Sequence, residues 1–210
     1  MAAVPDILTA RLRLVAVTAD LLTAALTGTA ERLGYELPVG WLGADDGDAG
    51  FFALKRDQIA VDAANGQWVR LLVLRDDAGV ATGSCEAAAG AEPRPGVVVG
   101  HAGFHGPPGV NGGATPGALE IGYTVFEPWR GRGLAVEAGG ALLRWARAEH
   151  RVVHVYGSTA PDNAASRAVL TRLGFEQTGE QIDEEDGLEL VFELRYAPAF
   201  SDTKSATAEI

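Results

Sequence analysis

The sequence predicts a single α/β domain. Segments with period-two alternation, at 8–17, 119–125 and 188–195, are interleaved with segments at helical spacing, at 51–63 and 134–149. From Leu119 to Ser158 a strand, a glycine-rich turn, a helix and a second strand follow one another, the pattern of a right-handed parallel crossover. No internal repeat divides the chain.

In chain order, residues 1–7 read as a loose lead-in. Leu8 to Val17 reads as one strand, with Leu8, Leu12 and Leu14 set against Arg11 and Arg13. Thr18 is a suitable N-cap, and Asp20 sits in the favourable first turn of a helix reaching about Leu26. Residues 28–50 mix short helical pieces with turns. Phe51 to Ala63 is helical, stopped by Asn65-Gly66. Trp68 to Arg75 is a strand apolar on both faces and therefore central. Residues 76–96 are rich in Ala, Gly, Asp and Pro and read as a surface insertion, with a short edge strand over 82–86 and Cys85 as a bystander. Val97 to His105 is the next strand, and Pro107 to Gly117 a loop.

Leu134 to Glu149 is a helix with Leu134, Ala138, Leu142 and Trp145 on one face, followed by a strand over Val152 to Ser158. Asp162 or Asn163 caps a short helix that Leu173-Gly174 ends. Phe175 to Glu180 and Leu188 to Arg195 form a hairpin around Asp186-Gly187, with Leu188, Leu190, Phe192 and Leu194 inward. The domain is read over 1–196, with 197–210 as a disordered tail.

The chain is organised around Leu119 to Ala135, LEIGYTVFEPWRGRGLA. A strand, a glycine turn and a helix start aim backbone N–H groups and the positive end of a helix dipole at one point, where an anion, most often phosphate, is held. Gly131 and Gly133 let a ligand touch the backbone and allow positive φ. Arg130 and Arg132 can add charge-assisted hydrogen bonds. The alternative is an ordinary tight loop with two solvated arginines.

With 210 residues, 47% hydrophobic and 21% charged, the chain has the composition of a soluble globular protein. A net charge of −11 argues against a nucleic-acid surface and suits cationic partners such as amines. One cysteine excludes an intrachain disulfide and a cysteine metal site, and the four histidines show no metal-ligand spacing, so no metal is expected. The N-terminus lacks a signal-peptide pattern and no apolar run approaches the ~20 residues of a membrane span, so a cytoplasmic protein without a membrane partner is expected. Oligomeric state is unread, and a homodimer stays open.

Arg130-x-x-Gly133-x-Ala135 after a strand resembles the pyrophosphate signature of the GNAT superfamily of N-acetyltransferases, and the wider text resembles its Rim-type branch, the ribosomal-protein-alanine acetyltransferases. The supporting pieces are Gly100-His101-Ala102-Gly103-Phe104, Glu120-Ile121-Gly122-Tyr123, Glu137-Ala138, Pro161-x-Asn163-x-x-Ser166 and Leu170-x-x-Leu173-Gly174-Phe175. The resemblance implies a mixed, mostly antiparallel sheet of about seven strands, splayed between the fourth (119–125) and the fifth (152–158). Acetyl-CoA would lie in the splay, with a bulge at Gly122 opening it. Tyr123, Val125, Asn163 and Ser166 would contact the pantetheine arm. Residues Arg130, Gly131, Arg132, Gly133, Leu134 and Ala135 would carry the pyrophosphate.

Acetyl transfer to an amine requires removal of a proton from an ammonium, stabilisation of an oxyanion and protonation of a thiolate. Glu120 is the candidate base or amine ligand, directly or through a water; the alternative is a pairing with a neighbouring arginine. The N–H near Val125 is the family's oxyanion donor. Relatives place a tyrosine on the short helix; here the candidate acid is Ser166, because that helix has none. Capping is the alternative role for Asn163. His101 and His105 lie on the strand before the site, where a histidine could serve as a base; the favoured reading of both, and of His154, is a packed or solvated residue, and Tyr123 and Trp129 read as packing. The acceptor would be a small-molecule amine or a protein N-terminus, bound by residues 28–65 and 106–117. A non-catalytic acyl-CoA-binding module is the competing reading. A P-loop is disfavoured because RGRGLA lacks Gly-Lys-Ser/Thr.

Overall fold

A computed structural model of the chain describes residues 4–39, 41–42, 48–75, 96–109, 117–183 and 187–197. The strand expected over 82–86, Cys85 and the tail beyond 197 lie outside the described residues. The strands are β1 (Ile7–Leu8), β2 (Leu12–Ala16), β3 (Tyr35–Glu36), β4 (Val69–Leu74), β5 (Gly96–Phe104), β6 (Leu119–Val125), β7 (His154–Thr159), β8 (Glu176–Asp183) and β9 (Gly187–Arg195). The helices are α1 (Ala19–Leu26), α2 (Asp48–Val61), α3 (Leu134–His150) and α4 (Ala164–Arg172), with short 3₁₀ turns between.

The sheet runs β1-β2-β4-β5-β6-β7-β9-β8, with β3 beside β5. All pairs are antiparallel except β6–β7 and β3–β5. The expected mixed sheet is present, and nine strands rather than about seven result from two features. Leu8 to Val17 is not one strand: it folds back at residues 9–11 so that Ile7 faces Leu14. The two-residue β3 is the other addition.

One core lies between the sheet and α3, built on Leu72, Phe104, Leu119, Ile121, Leu142 and Val155. The other lies beneath α1 and α2, built on Leu22, Phe52, Leu71, Val73 and Val98. A sheet covered on both sides explains why β4 is apolar on both faces. Its single charge, Arg70, is fully buried, lies 5.0 Å over the Trp145 ring and donates to the carbonyls of Pro5 and Leu14. Burial lowers the Arg70 pKa to about 10, against the pull of Asp6.

Thr18 caps α1, its side chain accepting from the Leu21 N–H. Asn163 caps α4 by accepting from the Ser166 N–H, and Gly174 follows that helix at φ 90°, as its sequence signal implied. The terminal hairpin keeps Leu190 and Phe192 buried, but Leu188 is 44% exposed rather than inward. It sits at the hairpin's far end, beyond the reach of the core.

Where β4 meets β5 the backbones approach closely. A Cβ at Gly103 would lie 2.1 Å from the Trp68 carbonyl oxygen, a contact with main chain that cannot swing away. Gly103→Ala is therefore expected to cost about 3 kcal/mol and roughly 10 °C in Tm, measured by calorimetry.

Candidate active site

β6 and β7 pair only at Leu119↔Val155 and Glu120↔Tyr156, then part. On its other edge β6 stays paired with β5 through Val125. The bonds His105 N–H to Glu120 carbonyl (3.0 Å) and Phe126 N–H to Val99 carbonyl (2.9 Å) fix which residues of β6 turn their amides to β5. By antiparallel alternation, Tyr123 and Val125 turn theirs the other way, toward the gap left by β7. A cavity of about 380 Å³ fills that gap, lined by Glu120, Tyr123, Gly157, Asn163 and Ser166 among others.

The expected bulge at Gly122 is not there: the β5–β6 register runs unbroken, with Gly103 opposite Gly122. The splay comes from the divergence of β7 after Tyr156. Gly122 serves another need, since a Cβ there would lie 2.8 Å from His105 Nε2. The missing side chain makes room for the imidazole.

Beyond β6, Gly131 and Gly133 adopt φ of 73° and 76°, and Gly133 is the N-cap of α3. A Cβ at Gly131 would meet nothing within 4 Å; one at Gly133 would meet only Arg11 Nη2, at 3.7 Å. The Arg130 N–H donates to the Glu127 carbonyl, so it is spent internally. Among the described residues the N–H groups of Gly131, Arg132 and Gly133 have no main-chain partner, and those of Leu134, Ala135 and Val136 open α3 ahead of its first i→i−4 bond, Glu137 to Gly133. Backbone donors thus gather at the positive end of a 17-residue helix, an arrangement that suits an anion.

The arginines help to shape the loop. Arg130 Nε donates to the Val125 carbonyl at 2.9 Å, and Arg132 donates to the Pro128 carbonyl while stacking 4.8 Å over Trp129. A third arginine, Arg11, joins them from the β1–β2 turn. It donates to the Arg132 carbonyl at 2.8 Å and pairs with Glu137 at 2.7 Å. Burial pushes the Glu137 carboxyl up, but hydrogen bonds from Thr9 and Arg11 outweigh this and leave it below the usual carboxylate range.

A carboxyl depressed by folding stabilises the fold above the unfolded value of 4.5, and that contribution disappears as pH falls through the folded value. Glu137→Gln is expected to lower stability at pH 7 by an amount on the order of 1 kcal/mol. In urea unfolding the difference between the two proteins should shrink as pH falls below 4.5 and vanish once the folded wild-type carboxyl is protonated as well.

At the mouth of the splay, Glu120 Oε2 stands 3.0 Å from His105 Nδ1 and accepts from Tyr156 Oη at 3.2 Å. Ser166 Oγ lies 3.1 Å from Tyr123 Oη, which also donates to the Ser166 carbonyl at 3.2 Å. A tyrosine thus reaches the short helix from β6 instead of from the helix itself. Burial raises its pKa, only partly offset by the Ser166 hydroxyl, and keeps it protonated. Asn163 Oδ1 is committed to capping.

Beside β5, β6 and the start of α2 a second cavity, about 270 Å³, is lined by Asp48, Phe51, His101, His105, Gly122 and Thr124 among others. His101 Nε2 is 2.9 Å from Asp48 Oδ2, and this hydrogen bond holds the Asp48 carboxyl below its usual value despite burial. Trp41 stacks on His101, and Lys55 Nζ lies 2.5 Å from the His105 carbonyl, clamping α2 onto the end of β5. Burial lowers the Lys55 pKa. His105, Gly122 and Tyr123 border both cavities. Asp48 and Phe51 of the 28–65 segment line the second cavity; residues 110–116 lie outside the described residues.

Sequence reasoning missed Arg11 at the loop, where only a fold-back at residues 9–11 brings it, and it set aside His105, whose meeting with Glu120 depends on β5–β6 register. Among the described residues no three His, Cys, Asp or Glu side chains gather as metal ligands, and no helix is long and apolar enough to cross a membrane.

A splayed β6–β7 pair followed by a glycine-framed helix start defines the acetyltransferase class of α/β fold. The family model for the acetyltransferase (GNAT) domain matches residues 11–176, and the chain belongs to that family. It is similar to the [ribosomal protein uS5]-alanine N-acetyltransferase of Escherichia coli (strain K12), 34% identical over 62 residues, covering 30% of this chain and 32% of that protein. The match thus spans about a third of the curated relative's length. A solved protein of Bordetella pertussis assigned to the GnaT family of acetyltransferases superposes with TM-score 0.62 at 21% identity, over 91% of this chain and 99% of that one. RimL, a ribosomal α-N-protein acetyltransferase solved with coenzyme A, superposes with TM-score 0.57 at 15% identity, over 91% and 98%.

Proposed function

We propose that the protein is an acetyl-CoA-dependent N-acetyltransferase acting on a primary amine by direct attack in a ternary complex. The observation that carries this is the continuity of backbone donors, splay and Glu120: the donors at 131–136 lead along the Val125 edge of β6 to a carboxylate lining the cavity in the splay. The coenzyme fits the residues present. Gly131 and Gly133 leave their outer faces open where a side chain would stand. Acetyl-CoA supplies an acetyl group already activated as a thioester.

The chain supplies the rest. The N–H groups of 131–136 hold the diphosphate, with Arg130 and Arg132 bracing the loop beneath it. Edge groups of Tyr123 pair with the pantetheine arm, which runs past Val125 alongside Asn163 and Ser166. The Val125 N–H steadies the carbonyl oxygen as it gains charge. Glu120 draws the proton from the acceptor ammonium, on its own oxygen or through a group that it holds. Tyr123 and Ser166, joined at 3.1 Å, offer a hydroxyl proton to the thiolate.

The acceptor enters through the cavity beside α2. Its carboxylates, Asp48 and nearby Glu120, suit a cation. Names of the similar proteins, which point to ribosomal-protein N-termini, favour a protein α-amine over a small molecule. The test is release of free thiol from acetyl-CoA with a panel of alanine- and serine-terminated peptides, spermidine and aminoglycosides. Thiol release with at least one amine is expected. Tight acetyl-CoA binding with no transfer to any of them would instead indicate a binding module.

A further inference from the structure

We propose that His105 Nε2 is the atom that receives the proton of the acceptor ammonium, with Glu120 acting through Nδ1 as its positioning residue. This rests on the acetyl-transfer reading of the same site. Four observations carry it. His105 borders both the cavity assigned to the coenzyme arm and the cavity beside α2, so it stands where the two reactants meet. Its Nδ1 is 3.0 Å from Glu120 Oε2, which makes Nδ1 the protonated nitrogen of the neutral ring and leaves the Nε2 lone pair free. A Cβ on residue 122 would lie only 2.8 Å from Nε2, so glycine at that position leaves room for the ring. The backbone fixes both partners: His105 N–H bonds the Glu120 carbonyl, and Lys55 Nζ bonds the His105 carbonyl.

The proton count closes. The ammonium N–H bond breaks and its proton forms a bond to His105 Nε2, giving an imidazolium against the Glu120 carboxylate. The freed nitrogen lone pair makes the C–N bond as the C–S bond breaks. The second nitrogen proton balances the thiolate, directly or by exchange through the Tyr123–Ser166 hydroxyls. The imidazolium then returns its proton to water. The groups that face or tether the imidazole are Glu120 and Tyr123 from β6, Tyr156 from β7 through Glu120, and Lys55 and Phe51 from α2. His101 and Asp48 line the same second cavity.

The test combines a spectrum with kinetics. Long-range ¹H–¹⁵N correlation on the ¹⁵N-labelled protein, with His105→Gln to assign the signals, should show neutral His105 protonated at Nδ1. Coupling that places the proton on Nε2 overturns the proposal. For kinetics, a peptide or amine turned over by the wild type is used. His105→Gln should lower kcat about 100-fold or more, leave the acetyl-CoA Kd within twofold, and recover rate steadily as pH rises and free amine accumulates. Turnover within threefold of wild type would overturn the assignment. Gly122→Ala should displace the ring, reducing kcat at least tenfold with Tm nearly unchanged; full activity together with an unmoved His105 resonance would also contradict it. If no panel amine is acetylated, the enzyme reading fails, while the tautomer still decides how Glu120 holds His105.

Discussion

Gly133→Val is expected to weaken acetyl-CoA binding by ~100-fold or more, measured by calorimetric titration, because removing two charge-assisted contacts costs about 3 kcal/mol. The cause is local. Gly133 has φ 76° and nothing nearer its Cβ position than Arg11 Nη2. A β-branched side chain there projects into the space a diphosphate would use and strains the turn that aims the amides. The strain alone costs about 1–3 kcal/mol, so Tm should drop by a few degrees. Gly133→Ala separates the two effects, since alanine incurs the strain of the positive φ but fills little of the space. An unchanged Kd in the valine variant would remove the loop from coenzyme binding.

Glu120→Gln is the second large effect. Turnover should fall by about 10²–10⁴ while the acetyl-CoA Kd stays within twofold. The amide keeps the shape and can still bond Tyr156 and His105, but it has no charge to attract an ammonium or support an imidazolium. Tyr156→Phe is the companion variant, removing one donor at 3.2 Å and leaving the carboxylate. A smaller loss is expected from it. Full turnover in the glutamine variant would strike Glu120 from the mechanism.

Much of this was readable in the sequence, and the reasons differ by element. The turn between β6 and α3 was legible because its signals are contiguous: a strand, two glycines and a helix start within one stretch. Thr18, Asn163 and Gly174 were legible because capping acts over three or four residues. The β1–β2 turn was not, as Thr9-Ala10-Arg11 contains no glycine or proline. It is closed instead by Thr9 Oγ1 bonding Leu12 and by Thr9 and Arg11 bonding Glu137, more than a hundred residues away. α2 begins at Asp48, ahead of the expected Phe51, where Asp48 meets His101 and Trp41.

The surroundings of Glu120 show the same division. Glu120 could be picked out as a carboxylate on a central strand. Its partner could not, because His105 meets it only when β5 and β6 align so that residues 105 and 120 face each other. Gly122 was read as a bulge, since a glycine in a strand signals either a kink or close approach; the register settles on close approach. Tyr123 looked like packing because its strand neighbours Leu119 and Ile121 are core residues. Its hydroxyl reaches Ser166 because β7 has already departed.

A crystal structure with coenzyme A bound bears most directly on the account. It should place the diphosphate oxygens within hydrogen-bond distance of the N–H groups between Gly131 and Val136, with the pantetheine arm running between β6 and β7 toward Glu120. A diphosphate seated elsewhere, or β6 and β7 paired along their length with the coenzyme outside, would contradict it.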